Sequence, residues 1–155
     1  MKVTLLLADA AQAVNGKLYV LGGGWSLTGP EPSAMALAVK IEVPWDRANI
    51  KHRWLLQLLD EDGAAVELPS LAADAATQPV RIEGEFEAGR PAGLKAGTPL
   101  DVTLAFNFAP LPLTPGRRYV WQLSIADFED AWQVAFSTRP GSTPAGRSGR
   151  LEAGE

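Results

Sequence analysis

The sequence feature that most constrains the fold is a repeated alternation of apolar and polar residues with a period of two. Apolar residues take alternate positions in six segments, interrupted only by Gly84, and these segments are 37–43, 54–58, 80–86, 102–108, 119–125 and 132–136. Successive side chains of a β-strand point to opposite faces, so each segment predicts a strand with one buried and one solvated face. Alternation of this kind is typical of antiparallel sheets.

Turn-forming residues separate these segments. Asn15-Gly16 is the strongest hairpin signal, because both residue types tolerate positive φ, and it predicts a hairpin from 3–11 to 17–28. The glycines at 22–24 interrupt the second arm, which indicates a bulge or a close backbone approach. Together these signals predict about eight or nine short strands arranged as an antiparallel β-sandwich.

Two aromatic positions favour an immunoglobulin-like version of this sandwich. Tyr119 follows the Pro115-Gly116 turn at the start of a strand, where a tyrosine corner would bond back to the preceding turn. Trp54 lies in an early central strand, where such sandwiches bury a tryptophan. We therefore predict an all-β, immunoglobulin-like antiparallel β-sandwich of about eight or nine strands.

The chain of 155 residues is long enough for one domain. Helix signals are scarce: 70–77 predicts two turns capped by Ser70, and 45–49 predicts one turn after Pro44. The last segment, 139–155, is rich in glycine and proline and has no apolar period. We predict a single sandwich domain over 1–138 and a disordered tail over 139–155.

Composition excludes several function classes. The sequence has no cysteine, which excludes a disulfide scaffold, a thiolate metal site and a cysteine nucleophile. The net charge of −4 argues against nucleic acid and anionic membranes as partners. The apolar run at 3–8 is shorter than the core of a signal peptide, so we expect a first strand there and a cytoplasmic protein.

The N-terminal segment resembles a known family. Residues 5–11 read LLLADAA and residues 16–25 read GKLYVLGGGW, and both are similar to the opening of an uncharacterised bacterial family, a domain of unknown function. Members also carry a histidine, alternating apolar residues and an acidic-glycine turn, which correspond here to His52, Leu56, Leu58, Asp60, Asp62 and Gly63. The resemblance spans roughly residues 1–138 and implies no activity, because none is attached to the family.

Acidic residues cluster in two turns. Asp60 and Asp62 lie in the first turn, and the second contains Asp127, Glu129 and Asp130. Carboxylate oxygens bind Ca²⁺, so a calcium-binding sandwich is one alternative, with Asp60 and Asp62 as its candidate ligands. The first turn does not continue into an EF-hand loop, and the two turns would lie at opposite ends of adjacent antiparallel strands. We therefore predict no metal and no cofactor.

Catalytic signals are absent from the sequence. His52 is the only imidazole, and no nucleophile elbow accompanies it, so we expect a histidine at the surface or at a hydrogen-bonded edge. Glu83, Glu85 and Glu87 share one strand face and are expected to face solvent, where like charges discourage edge pairing. We predict that the protein is not an enzyme.

Tryptophans are the remaining candidates for a binding site. Trp25 follows the three glycines and Trp45 follows Pro44 in a loop, and either residue would serve as a binding residue or fill the core. We predict a non-catalytic binding or assembly module that acts through a sandwich face or an edge strand. Its partner would be another protein or a second copy. The alternative is a small-ligand or carbohydrate-binding module that uses loop aromatics.

Overall fold

A computed structural model of the chain describes residues 1–70 and 76–142. These residues form twelve strands: β1 (Lys2–Ala8), β2 (Ala10–Val14), β3 (Lys17–Leu21), β4 (Leu27–Thr28), β5 (Met35–Val43), β6 (Lys51–Asp60), β7 (Glu67–Pro69), β8 (Thr77–Pro79), β9 (Arg81–Glu87), β10 (Leu100–Phe108), β11 (Arg118–Ile125) and β12 (Ala131–Thr138). Each of the six alternating segments falls on one of the long strands, apart from Val80, which directly precedes β9. The count exceeds the predicted eight or nine because short strands such as β4, β7 and β8 carry no visible alternation.

Two sheets pack face to face, which confirms the predicted all-β sandwich. One sheet has the order β1-β5-β10, and the other has the order β4-β12-β11-β6-β9. Neighbouring strands pair antiparallel, except that β4 pairs parallel to β12. No helix in the described residues is both long enough and apolar enough to cross a membrane.

The core lies between the inward faces of the two sheets. Inward-pointing residues of β5 meet those of β6 and β11, and the fully buried members include Leu37, Val39, Ile41, Leu56, Leu58, Trp121 and Leu123. These are the apolar positions of the alternating segments. Of the outward residues, Arg53 and Lys40 are exposed, whereas Ala36 and Ala38 of β5 are buried on the outer face as well.

The predicted tyrosine corner is present. The Tyr119 hydroxyl accepts a hydrogen bond of 3.0 Å from the backbone N–H of Thr114, and the side chain is 6% exposed. Trp54 in β6 is also buried. This hydrogen bond thus holds the segment that precedes β11 against the beginning of β11.

Replacing this hydroxyl is expected to weaken the fold. Tyr119→Phe should lower the free energy of unfolding by about 1 kcal/mol, because it leaves the Thr114 N–H without its partner. Tyr19→Phe is the matched control, since Tyr19 is 57% exposed and its substitution should change stability by less than about 0.5 kcal/mol. Urea unfolding followed by circular dichroism measures both, and equal effects of the two variants would contradict the corner's role.

The predicted hairpin forms, but with shorter arms. Asn15 (φ 51°) and Gly16 (φ 72°) both have positive φ, as the expected two-residue turn requires. Its arms are only β2 and β3, so the predicted arms 3–11 and 17–28 are wrong. The chain bends at Asp9, because the strand before it pairs with β5 and buries Leu7 and Ala8 instead.

The glycines at 22–24 end the hairpin and do not form a bulge within a strand. Gly22 (φ 61°) and Gly24 (φ 92°) turn the chain, and the Gly24 N–H donates a hydrogen bond of 2.7 Å to the Leu7 carbonyl. This contact covers part of the free edge of β1. The segment then carries the chain from one sheet to the other, where β4 begins.

The remaining local predictions have mixed outcomes. The single turn after Pro44 is confirmed as a 3-10 turn at Trp45–Arg47. The helix predicted over 70–77 lies mostly outside the described residues, and Thr77 begins β8. Of the predicted tail, 143–155 also lies outside the described residues, while the Arg139 N–H donates a hydrogen bond of 2.8 Å to the Thr28 carbonyl.

Candidate functional site

The hairpin β2–β3 packs on the outer face of the three-stranded sheet. Four alanines, Ala8, Ala11, Ala36 and Ala38, form a buried cluster of their own between hairpin and sheet, and Leu18 and Ala105 pack against it. Small side chains allow two backbone layers to approach closely. The alanines of β1 and β5 therefore explain why a second layer rests at this place on the sheet.

Asn107 fastens the hairpin to the sheet. Its Oδ1 accepts a hydrogen bond of 3.1 Å from the Ala11 N–H, and its Nδ2 donates one of 2.8 Å to the Ala11 carbonyl. The amide side chain thus pairs with β2 as a neighbouring peptide group would. These two bonds satisfy both backbone polar groups of the buried Ala11 and hold the hairpin in a fixed position.

The outer face of the hairpin is exposed and largely apolar. Because Ala11 and Leu18 face the sheet, the alternate residues face solvent, and we call them the hairpin face: Ala10, Gln12, Val14, Lys17, Tyr19 and Leu21. Leu21 is 71% exposed, Tyr19 57% and Val14 45%. The fold thus holds the hairpin in place, and large apolar side chains on its outer face remain exposed to solvent.

Exposed apolar side chains concentrate at this place. Among the described residues, seven large apolar side chains are exposed, and three of them belong to the hairpin face. Two more, Leu6 and Val20 at 39% each, lie beside it, and both line the space next to Gly23. Of the seven, only Leu27 and Ile50 lie elsewhere. Concentrations of exposed apolar area mark interaction sites more often than scattered residues do.

The edge of β3 is also unpaired. Its only partner strand in the described residues is β2, so one edge of this apolar strand has no neighbouring strand. The edge strand β9, by contrast, carries Glu83, Glu85 and Glu87, which are exposed as the sequence predicts. Charges protect an edge against further pairing, and the residues from Leu18 to Leu21 carry none.

Trp25 packs against the core. It is half-buried, and its ring meets that of Phe136 edge-on, with centroids 5.9 Å apart and planes at 84°. Its Nε1 is buried and has no hydrogen-bond partner among the described residues. The structure therefore places this candidate binding residue in the packing between the glycine segment and β12.

Trp45 is the second candidate, and it lines a surface groove. The groove has a volume of about 600 Å³ and also contains Met1, Pro44 and Pro99. The Arg90 guanidinium lies 4.4 Å from the centre of the Trp45 ring and donates a hydrogen bond of 2.7 Å to the Trp45 carbonyl. A sugar stacks on an open ring face, and Arg90 already covers one face here. The carbohydrate alternative stays a prediction.

Acidic side chains of the turn after β6 already form hydrogen bonds and an ion pair with neighbouring groups. Asp60 Oδ1 accepts hydrogen bonds from the N–H groups of Asp62 (3.0 Å) and Ala64 (2.9 Å). Arg117 Nη1 lies 2.9 Å from Glu61 Oε1, and this hydrogen bond and charge raise the pKa of Arg117. The described residues contain no group of three acidic or histidine side chains that would hold a metal.

His52 is buried, so the alternative of a surface histidine is wrong. It is 4% exposed and lies between the rings of Phe86 and Phe128, with centroids 5.2 and 6.1 Å away. Its Nε2 lies 3.2 Å from the Arg47 carbonyl, as a hydrogen-bonded position requires. These contacts make His52 a packing residue that anchors the 3-10 turn.

The hairpin residues are the part of the candidate site that the sequence does not single out by residue. Residues 17–21 read KLYVL, so four consecutive apolar residues fall on both faces of one strand. A two-stranded hairpin that packs on a sheet buries only one of its faces, so a run of four apolar residues must leave some of them exposed. This run is the sequence signal for the exposure of Tyr19 and Leu21.

Comparison with known proteins places most of the sandwich in one family. The model of a protein family described only as a family of unknown function matches residues 3–135. The match includes the hairpin, its alanine contact and most of both sheets. No curated protein sequence is significantly similar to the chain.

Proposed function

The chain belongs to the DUF6941 family, and because that family has no known function, we propose from the surface itself that the protein is a non-catalytic binding module. The proposed docking surface is the hairpin face. The observation that carries this proposal is the concentration of exposed apolar side chains on the hairpin, above all Leu21 at 71% and Tyr19 at 57%.

The energetics favour binding at this face. Fully burying a leucine side chain stabilises a complex by about 1.5–3 kcal/mol, and tyrosine is enriched among the residues that dominate interfaces. Asn107 and the alanine cluster hold the hairpin before any partner arrives. A surface that is already ordered loses little conformational entropy on binding.

The non-catalytic part of the proposal rests on what the polar side chains do. The imidazole of His52 is buried between two aromatic rings. The Asp60 carboxylate accepts two backbone hydrogen bonds, and Glu61 pairs with Arg117. These groups are engaged in packing, turn formation and surface ion pairing, which supports a binding function over a catalytic one.

We also propose that the sandwich is immunoglobulin-like. The order β1-β5-β10 opposite β12-β11-β6-β9 supports this, as do the Tyr119 corner and the buried Trp54. In this arrangement the hairpin is an addition on the outer face of the smaller sheet. An added, apolar element on a generic fold is a natural place for function.

The binding proposal is tested by comparing two double variants as baits. Tyr19→Ser/Leu21→Ser removes the two most exposed apolar side chains of the hairpin face, whereas Leu27→Ser/Ile50→Ser removes equal numbers of exposed apolar side chains elsewhere. Proteins captured from host lysate are identified by mass spectrometry and then titrated in purified form. We expect wild type and control to bind a purified partner equally, and the hairpin variant to bind at least about a hundredfold more weakly.

Two results would contradict the proposal. One is a purified partner that binds the hairpin variant as tightly as it binds wild type. The other is that the wild-type bait retains no partner, not even a second copy of the chain, at salt concentrations that leave apolar contacts intact. Matching circular dichroism spectra of the variants and wild type would show that lost binding is not lost folding.

A further inference from the structure

We propose that the partner of the hairpin face is a second copy of this chain, bound in a two-fold symmetric dimer with the two hairpins running in opposite directions. This inference rests on the proposed function, since it assigns the partner of the same surface. It is argued from the order of side chains along the hairpin, from the charges at its two ends and from the area on offer.

The hairpin face is complementary to itself. Cross-strand pairs divide it into three rows, which are Ala10 with Leu21, Gln12 with Tyr19, and Val14 with Lys17. A two-fold axis through the middle row, in the plane of contact and perpendicular to the strands, stacks that row on itself. Tyrosine then meets tyrosine, and the two glutamine amides lie within reach of each other.

The same axis matches the end rows by size. Val14 of one copy covers Ala10 of the other, and the aliphatic stem of Lys17 covers Leu21. A large side chain thus meets a smaller or flexible one in both end rows, and no two bulky groups compete for one space.

Charges at the two ends select the orientation. Lys17 lies at the turn end of the hairpin, and Asp9 lies at the open end, where its N–H donates a hydrogen bond of 3.0 Å to the Leu21 carbonyl. Both side chains are exposed, and neither forms an ion pair within the described residues. Opposed hairpins bring each Lys17 to Asp9 of the other copy, whereas hairpins running in the same direction would bring the two lysines together.

The available area suits such a dimer. A standard interface removes about 800 Å² from each partner, and the exposed leucine, tyrosine and valine of the hairpin face supply part of that area. Leu6 and Val20 at the margin supply part of the remainder, each 39% exposed. The interface would thus have an apolar centre with one pair of opposite charges at each end, as protein interfaces commonly have.

The test measures how the average molar mass of the protein in solution, with the full chain, depends on its concentration. Sedimentation equilibrium from about 1 μM to about 500 μM should give a dimer for wild type and for Leu27→Ser/Ile50→Ser. Tyr19→Ser/Leu21→Ser should raise the dimer Kd at least about a hundredfold. Lys17→Glu places a second carboxylate beside Asp9 at both ends of the dimer and should raise the Kd about tenfold or more.

A charge exchange tests the orientation. The double variant Asp9→Lys/Lys17→Glu recreates the opposite-charge pairs in reverse and should restore the Kd to within about threefold of wild type. These two residues are exposed, so the exchange leaves the core untouched even if the serine variants prove unstable.

Three outcomes would overturn the inference. They are a wild-type monomer at every concentration, a dimer that the hairpin variants leave unchanged, and a charge exchange that restores nothing. A monomer whose hairpin face still binds a different purified protein would overturn this inference while leaving the proposed binding function in place. A hairpin-independent dimer would remove the second copy as the partner of this face.

Discussion

Trp121→Ala is expected to lower the free energy of unfolding by about 4 kcal/mol, the largest single loss we predict. Trp121 is fully buried in β11, between β6 and β12. Its ring stacks on Phe108 of the opposite sheet, with centroids 4.6 Å apart and planes at 20°. Removing the indole leaves a cavity between the sheets that β-strands on both sides cannot close.

The phenylalanine variant separates the ring from its polar atom. Trp121 Nε1 is buried and has no hydrogen-bond partner among the described residues, and such a group costs stability by itself. Trp121→Phe keeps a stacked ring and removes this N–H, so it should cost less than about half of the alanine loss. Urea unfolding followed by circular dichroism measures both variants. Equal losses would contradict the stacking argument.

The sequence predicts the sandwich well, because burial on one face leaves a period of two in each long strand. The inward positions of β5, β6 and β11 are those that the alternation marks, and Tyr119 makes the corner that its turn predicts. Such patterns are local, because successive residues of a strand alternate between its two faces, and one buried residue therefore indicates which of its neighbours are buried. The strands and the tyrosine corner therefore follow from segments read one at a time.

The placement of the hairpin does not follow from any one segment. No pattern in the sequence singles out the four clustered alanines, and only the folded structure brings them together: Ala8, Ala11, Ala36 and Ala38. The same holds for Asn107, which bonds to Ala11 across a separation of 96 residues. Without this second layer, Tyr19 and Leu21 read as ordinary core residues of a strand. Their exposure is a tertiary effect, and so is the candidate site.

The two loop tryptophans pack against other side chains for a related physical reason. Trp25 and Trp45 follow glycine or proline in loops, which is a common setting for exposed binding residues. In this fold the loops run over the ends and edges of the sandwich, so their large rings pack on Phe136 or beneath Arg90. An aromatic ring buries more apolar area than any other side chain, and loops that pass near a core place it there.

Gly84→Ala is expected to lower the free energy of unfolding by about 2–3 kcal/mol, although it adds a single methyl group. Gly84 lies in β9 opposite Trp54 of β6. A Cβ at this position would lie 2.6 Å from Trp54 Cζ2 and 2.9 Å from Trp54 Cε2. The indole is buried and cannot move aside without disturbing Phe106, whose ring centre lies 5.0 Å away.

Gly89→Ala is the matched control for that loss. A Cβ at Gly89 meets no atom within 4 Å and its φ is not in the left-handed region, so alanine should be neutral or stabilise by up to about 1 kcal/mol. Trp54→Leu supplies a second check, because it removes the indole that the new methyl group strikes. Gly84→Ala should then cost less in the Trp54→Leu background than in wild type, by about 1 kcal/mol or more. The same cost in both backgrounds would show that the indole is not the reason why β9 needs glycine at this position.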